Sequence, residues 1–189
     1  MTDALEERII EATLRCVARW GIAKTTLDDV AREARCGRAT IYRTFPGGKQ
    51  AVLGATMQHE LRRAVATIDE AVRHLDSLED VLVVGTTSAA RLIRGHAALS
   101  YLIAHEPIAF DKLGHVFDAA AACAAPHLAR FLPEGDAARA AEWVTRVVLT
   151  YTFNPAPSTD LRDEADARRL VQTFLLPALS PQTLASSRS

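Results

Sequence analysis

The sequence is poor in the features that announce catalysis, secretion or membrane insertion. Its three cysteines, Cys16, Cys36 and Cys123, are odd in number and scattered. They fit neither a disulfide framework nor a metal-ligand spacing. No apolar run approaches the roughly 20 residues that span a bilayer. The opening MTDALEER is acidic and polar, so no signal peptide is expected and the expected compartment is the cytoplasm. Aromatic residues make up 6%, and no long Val/Ile/Thr alternation marks a strand. HExxH, GxSxG, P-loop, CxxC and paired-carboxylate helix motifs are all missing. No catalytic residue, metal ligand or cofactor is therefore expected. Strong charge is lacking too: the formal net charge is −1, so the chain is no general basic coat for nucleic acid. Any DNA affinity has to reside in a local patch.

What is present points to helices. Apolar residues make up 49%, alanine is abundant, and glycine and proline sit mostly at joints. An all-α fold of about nine helices is expected, with a head of three helices over 1–48, a helical body over 49–180 and a disordered tail over 181–189. A first helix over 5–20, with Leu5, Ile9, Thr13, Cys16, Val17 and Trp20 on its buried stripe, ends at Gly21 and braces the rest of the head. The stretch KTTLDDVAREARCGRATIYRTF, residues 24–45, then reads as two short helices and a tight turn. Thr26 is an N-cap with Asp29 as its capping-box partner. Leu27, Val30, Ala31 and Ala34 recur at helical spacing. Gly37 either supplies an open backbone for the turn or caps the second helix, in which Ile41 and Phe45 face inward. From Arg35 to Lys49 there are four basic residues and no acidic one. A helix-turn-helix with such a patch can enter a major groove and neutralise phosphates. Arg38 and Thr40 are the candidates for base edges. Thr25, Thr26, Tyr42, Arg43, Thr44 and Lys49 are the candidates for phosphates, with Ala39 on the same face.

The residues Trp20-Gly21, KTTLDDVAREA and RATIYRTFPGGKQAVL resemble the TetR family of one-component transcriptional regulators. The resemblance is specific over about the first fifty-five residues and architectural afterwards. It departs at Gly37, where the family usually has Ser or Thr, and at Pro46-Gly47-Gly48, a link one residue longer than the common form.

The body is expected to hold helices from 49 or 50 to 75, from a Ser77–Asp80 cap to Gly95, over 96–106, over 107–132 with a kink or break at Pro126, from an Asp136 cap to 153, and over 162–176 before Pro177. A bundle of this size can enclose a small-molecule site. Its candidate lining residues are Met57, Leu61, Leu92, Tyr101, Leu102, His105, Phe110, Leu113, Phe117, Trp143, Val147 and Tyr151. The resemblance implies a pocket in this region for a small hydrophobic effector. It also implies a homodimer through the last two long helices, with Ala140, Trp143, Val144, Val147, Val148, Tyr151, Leu170, Val171, Phe174 and Leu175 at the interface. The functional expectation is a repressor that binds a pseudo-palindromic operator in double-stranded DNA as a homodimer and is released by that effector. A helical small-molecule-binding protein or enzyme, or a helix-turn-helix regulator without ligand, are the alternatives.

Overall fold

Apolar residues at helical spacing in an alanine-rich chain fold here into helices. The computed structural model describes residues 2–95, 114–133 and 135–180. They form α1 (Thr2–Lys24), α2 (Leu27–Glu33), α3 (Arg38–Thr44), α4 (Lys49–Val72), α5 (Leu78–Gly95), α6 (Gly114–Leu128), α7 (Asp136–Phe153), α8 (Glu164–Leu170) and a short α9 (Leu176–Ala178). A π-helical turn, Val171–Leu175, connects α8 to α9. Among the described residues there is no strand, and no helix is long and apolar enough to cross a membrane. The helix expected over 96–106, the start of the one expected from 107 and the tail expected over 181–189 lie outside the described residues.

Two compact units result, one over 2–63 and one over 64–95 with 114–180. In the first, α1, α2 and α3 close around Ile9, Ala12, Cys16, Leu27, Val30, Ala34, Ile41 and Phe45. Val52 of α4 joins that core, with Ala51 and Ala55 packed against it. Packing therefore carries the unit into α4, past the start of that helix at Lys49, to a division at 63/64. The second unit is built on Val72, Val83, Leu128, Ala141, Val171 and Leu175. Burial of such side chains contributes about 1.5–3 kcal/mol each, which offsets the entropy of ordering short helices that are marginal alone.

The helix ends show where sequence patterns compete with packing. Gly21 has φ 78 and ψ 163, so α1 breaks there as expected, yet helical residues resume and run on to Lys24. Trp20, expected in the buried stripe, is 38% exposed. It lies under the Arg19 guanidinium, 5.3 Å from the ring centroid, because the stripe of α1 closes on Cys16 and Val17 one turn earlier. Pro126 does not divide its helix: α6 runs through it to Leu128, so the helix bond its nitrogen cannot make is given up only two residues from the end. Gly135, at φ 86, is the N-cap of α7, and Asp136 stands inside the first turn, buried and paired with Arg139. The final helix begins later than expected, because Asp163 accepts hydrogen bonds from the Ala165 and Asp166 backbone and caps it. It also passes Pro177, which sits in the first turn of α9 just after the π-helical turn.

Candidate nucleic-acid interface

Local hydrogen bonding builds the helix-turn-helix from both ends. Thr26 is extended at φ −107, and its hydroxyl accepts from the Asp29 backbone N–H at 3.2 Å. The Asp29 carboxylate accepts in return from the Thr26 N–H at 3.1 Å, completing the capping box. Hydrogen bonds from the Thr26 hydroxyl and backbone, then the neighbouring Arg32, hold the Asp29 carboxyl below its ordinary range. At the far end of α2 the turn is made by Arg35, at φ 51, a left-handed conformation in a residue with a Cβ. The Cys36 N–H returns to the Ala31 carbonyl at 2.9 Å. Arg8 of α1 donates to the Ala34 carbonyl at 3.0 Å and so braces the turn from behind. Gly37, the residue expected either to open the turn or to cap, does the second: it is extended and N-caps α3 without a side-chain bond.

On α3, Ile41 is fully buried and Phe45 is 6% exposed, which aims the opposite face outward. Arg38, Ala39, Tyr42 and Arg43 are exposed there, and Thr40 and Thr44 are half-buried. Tyr42 is seated against the link between α3 and α4. Gly48 is buried at φ +65, and a Cβ there would lie 3.0 Å from Tyr42 Cε1, so glycine lets the ring rest on backbone. Arg38 lies over that ring at 5.7 Å and donates to the Tyr42 hydroxyl at 3.4 Å. It also donates to the Asp28 carboxylate of α2 at 3.0 Å. Its bond to Tyr42, then the charge of Asp28, raise the already high pKa of this cation. Arg35 and Arg43 are exposed and form no ion pair among the described residues.

The remaining expected contacts are used inside the fold. Thr25 is 2% exposed, and its hydroxyl donates to the Gly21 carbonyl at 2.8 Å, so its side chain is withdrawn from any DNA surface. The Thr26 hydroxyl is spent on Asp29, and that of Thr44 donates to the Thr40 carbonyl at 3.0 Å. The Lys49 ammonium is half-buried and donates to the Ile22 carbonyl at 2.8 Å. Four of the nine expected residues, Arg38, Ala39, Tyr42 and Arg43, thus come together as an exposed surface, and Thr40 stands half-buried beside them. Sequence reading missed Asp28 and Gly48. The two successive glycines were a signal for left-handed backbone, whereas no spacing rule ties Asp28 to a residue beyond the turn.

In the body, Trp143 is 40% exposed and Phe174 is 63% exposed. Ala140, Val144, Val148, Leu170, Val171 and Leu175, expected at a subunit interface, are instead buried in the body's own core. Val147 and Tyr151 pack half-buried against it. The helix stripe with most apolar side chains closes the protomer first. Of the expected pocket residues, Tyr101, Leu102, His105, Phe110 and Leu113 lie outside the described residues. Met57 and Leu61 belong to the first unit; Leu92, Phe117, Trp143, Val147 and Tyr151 belong to the second. Phe117 lies under the Arg146 guanidinium at 5.5 Å.

Comparison with known proteins bears on this geometry. A family model described as bacterial regulatory proteins, tetR family, matches residues 9–56, which contain the capped turn and the exposed face of α3. An uncharacterised HTH-type transcriptional regulator of Mycobacterium tuberculosis is 28% identical over 192 aligned residues, covering 100% of this chain and 92% of the relative. The HTH-type transcriptional regulator BetI 2 of Chromohalobacter salexigens is 27% identical, with 93% and 88% covered. The solved structure of the TetR family repressor AlkX from Dietzia sp., implicated in biodegradation of n-alkanes, superposes with a TM-score of 0.69 at 18% identity, covering 92% of this chain and 98% of that one. FadR from Bacillus subtilis in complex with stearoyl-CoA gives 0.61 at 15%, with 88% and 97% covered. At such identities the solved structures establish the shared fold. The match over residues 9–56 identifies a helix-turn-helix of the tetR-family regulatory proteins, and along its whole length the chain is similar to HTH-type transcriptional regulators.

Proposed function

We propose that the protein is a homodimeric repressor that sets α3 of each protomer into a major groove of a pseudo-palindromic operator and leaves it when a small hydrophobic effector binds. The observation that carries this reading is the face of α3, where Arg38, Tyr42 and Arg43 stand exposed around a buried Ile41. Arg38 has the fork geometry that reads guanine, and Arg43 is placed as a phosphate cation. The residues before α4 form the reading head in this proposal, and those from Lys49 onward bind effector and form the dimer. Exposed Trp143 and Phe174 support a dimer contact, because large apolar side chains at the surface of such helices favour a symmetric partner. An acyl-chain effector is supported by two neighbours of the same fold, one solved with stearoyl-CoA and one implicated in n-alkane biodegradation. Release requires that the effector bind the DNA-incompetent arrangement more tightly; equal affinity for both would shift nothing. The site of action is the cytoplasm, where the operator is.

The test is a salt series of binding to the DNA flanking the protein's own coding region, wild type beside Arg38→Ala and Arg43→Ala. Arg38→Ala is expected to lose about 1–3 kcal/mol and to relax sequence preference. Arg43→Ala is expected to lower the salt slope by about 1 with preference retained. Wild-type binding without preference for the flanking DNA, or binding unmoved by both substitutions, sinks the reading. Fatty acyl-CoA added to the complex then tests release, and sedimentation of Trp143→Asp beside wild type tests the dimer.

A further inference from the structure

In the body, one turn of α6 faces the second half of α4 with three side chains of different chemistry. Cys123 and His127 stand four residues apart on α6, and Asp69 is on α4. The His127 Nε2 is 2.9 Å from Asp69 Oδ1. The Cys123 thiol donates a hydrogen bond to the Val65 carbonyl, one turn before Asp69, at 3.7 Å. One thiol sulfur, one imidazole nitrogen and one carboxylate oxygen lie within 4.8 Å of one another. His127 is 8% exposed, and Asp69 and Cys123 are half-buried.

We propose that Asp69, Cys123 and His127 form a binding site for a divalent transition-metal ion of the Zn2+ class. A His–Asp hydrogen bond would account for two of these groups as ordinary packing. The thiol, brought to the same point from one turn earlier on α6, has the Val65 carbonyl as its hydrogen-bond partner, yet its sulfur also lies within 4.8 Å of the other two donors and completes a ligand set. Tetrahedral coordination at the usual Zn–S, Zn–N and Zn–O lengths places donors about 3.3–3.7 Å apart. The His127–Asp69 separation of 2.9 Å is somewhat below that range, and no pair of donors in the cluster is farther apart than 4.8 Å. The donor set selects among cations: thiolate and imidazole favour Zn2+, Co2+, Ni2+ or copper over Mg2+ and Ca2+. Two anionic ligands would balance the charge of the ion. Three protein ligands leave a fourth position for water or a small anion. The Cys123–His127 spacing was the sequence signal, and it needed a third ligand from another helix to carry weight.

The site is tested without DNA, so its failure is separate from that of the regulator reading. Full-length protein is titrated with Co2+ and followed by absorption, with Cys16→Ser/Cys36→Ser as the background that leaves a single thiol. The expected result is a thiolate-to-cobalt charge-transfer band and visible tetrahedral bands that saturate at one equivalent per chain. Both are lost in Cys123→Ser and in His127→Gln, each checked for native helicity by circular dichroism. Asp69→Asn keeps a hydrogen-bonding partner for His127 while removing the anionic ligand; it is expected to weaken Zn2+ binding roughly ten-fold or more, the loss that even an outer-shell change brings. Zn2+ raises the melting temperature of the wild type and not that of Cys123→Ser. Absence of the bands in the wild type, or bands that persist in Cys123→Ser, overturns the proposal.

Discussion

In the head and in the body a carboxylate reaches across to a nitrogen on another helix, Asp28 to Arg38 and Asp69 to His127, and solvent makes these two contacts different. In the head, Asp28 of α2 meets Arg38 of α3 with both side chains more than half exposed. In the body, Asp69 of α4 meets His127 of α6 with the imidazole only 10% exposed. An exposed pair is screened by water and salt and contributes about 0–1 kcal/mol, so a phosphate or base edge can take over the cation with little loss. A half-buried pair has surrendered hydration, and removing one partner strands the other. The head contact is built for exchange and the body contact for retention.

Substitutions can break or sharpen this contrast. The largest effect is expected where the head's surface rests on its scaffold. Gly48→Ala drives a methyl group against Tyr42 in a left-handed backbone, and is expected to cost about 1–3 kcal/mol in urea denaturation. Asp69→Ala leaves His127 without its carboxylate and is expected to cost about 1–2 kcal/mol by the same measurement; a cost no greater than that of Asp28→Ala would erase the distinction between the pairs. Asp28→Asn is expected to change stability by less than about 1 kcal/mol. The same change should tighten DNA binding at low salt, because a competitor for Arg38 and a negative charge near the phosphates both disappear. Weaker binding by this variant would mean that Asp28 aims Arg38 rather than competing for it. Gly37→Ser is the smallest: a Cβ meets only Thr40 Oγ1, at 3.8 Å, and the new hydroxyl can cap α3, a gain of a few tenths of a kcal/mol in thermal melts.

Legibility in the sequence followed the range of the interactions. The Thr26–Asp29 box, the Ser77–Asp80 cap and the inward pair Ile41 and Phe45 are fixed by neighbours within four residues, and the structure holds them as read. The helical class and the order of elements come from the same periodicity. Contacts that cross between helices were not legible. The burial of Thr25, the tie from Lys49 to Ile22 and the pairing of Asp28 with Arg38 depend on how elements dock. Trp20 and the six core residues of α7 and the last helices erred for one reason: hydrophobicity says that a side chain seeks burial, and docking decides whether its own chain or a partner provides it. Arg35 is the opposite case, a turn made by a residue that offers no signal for a positive φ while Gly37 stands two positions away.

The bond from Lys49 to Ile22 has a topological consequence. It joins residues 27 apart in sequence, so α2, the turn and α3 lie on a ring closed by one ammonium, on the Ile22 carbonyl at 2.8 Å and the Ala23 carbonyl at 3.5 Å. An open hairpin frays from its ends, whereas a ring loses that freedom as long as its clasp holds, in addition to what the apolar core already fixes. The reading surface of α3 is thereby tied to a position outside α3, and chemistry that neutralised that amine would remove this tie while every side chain on the groove-facing surface stayed the same.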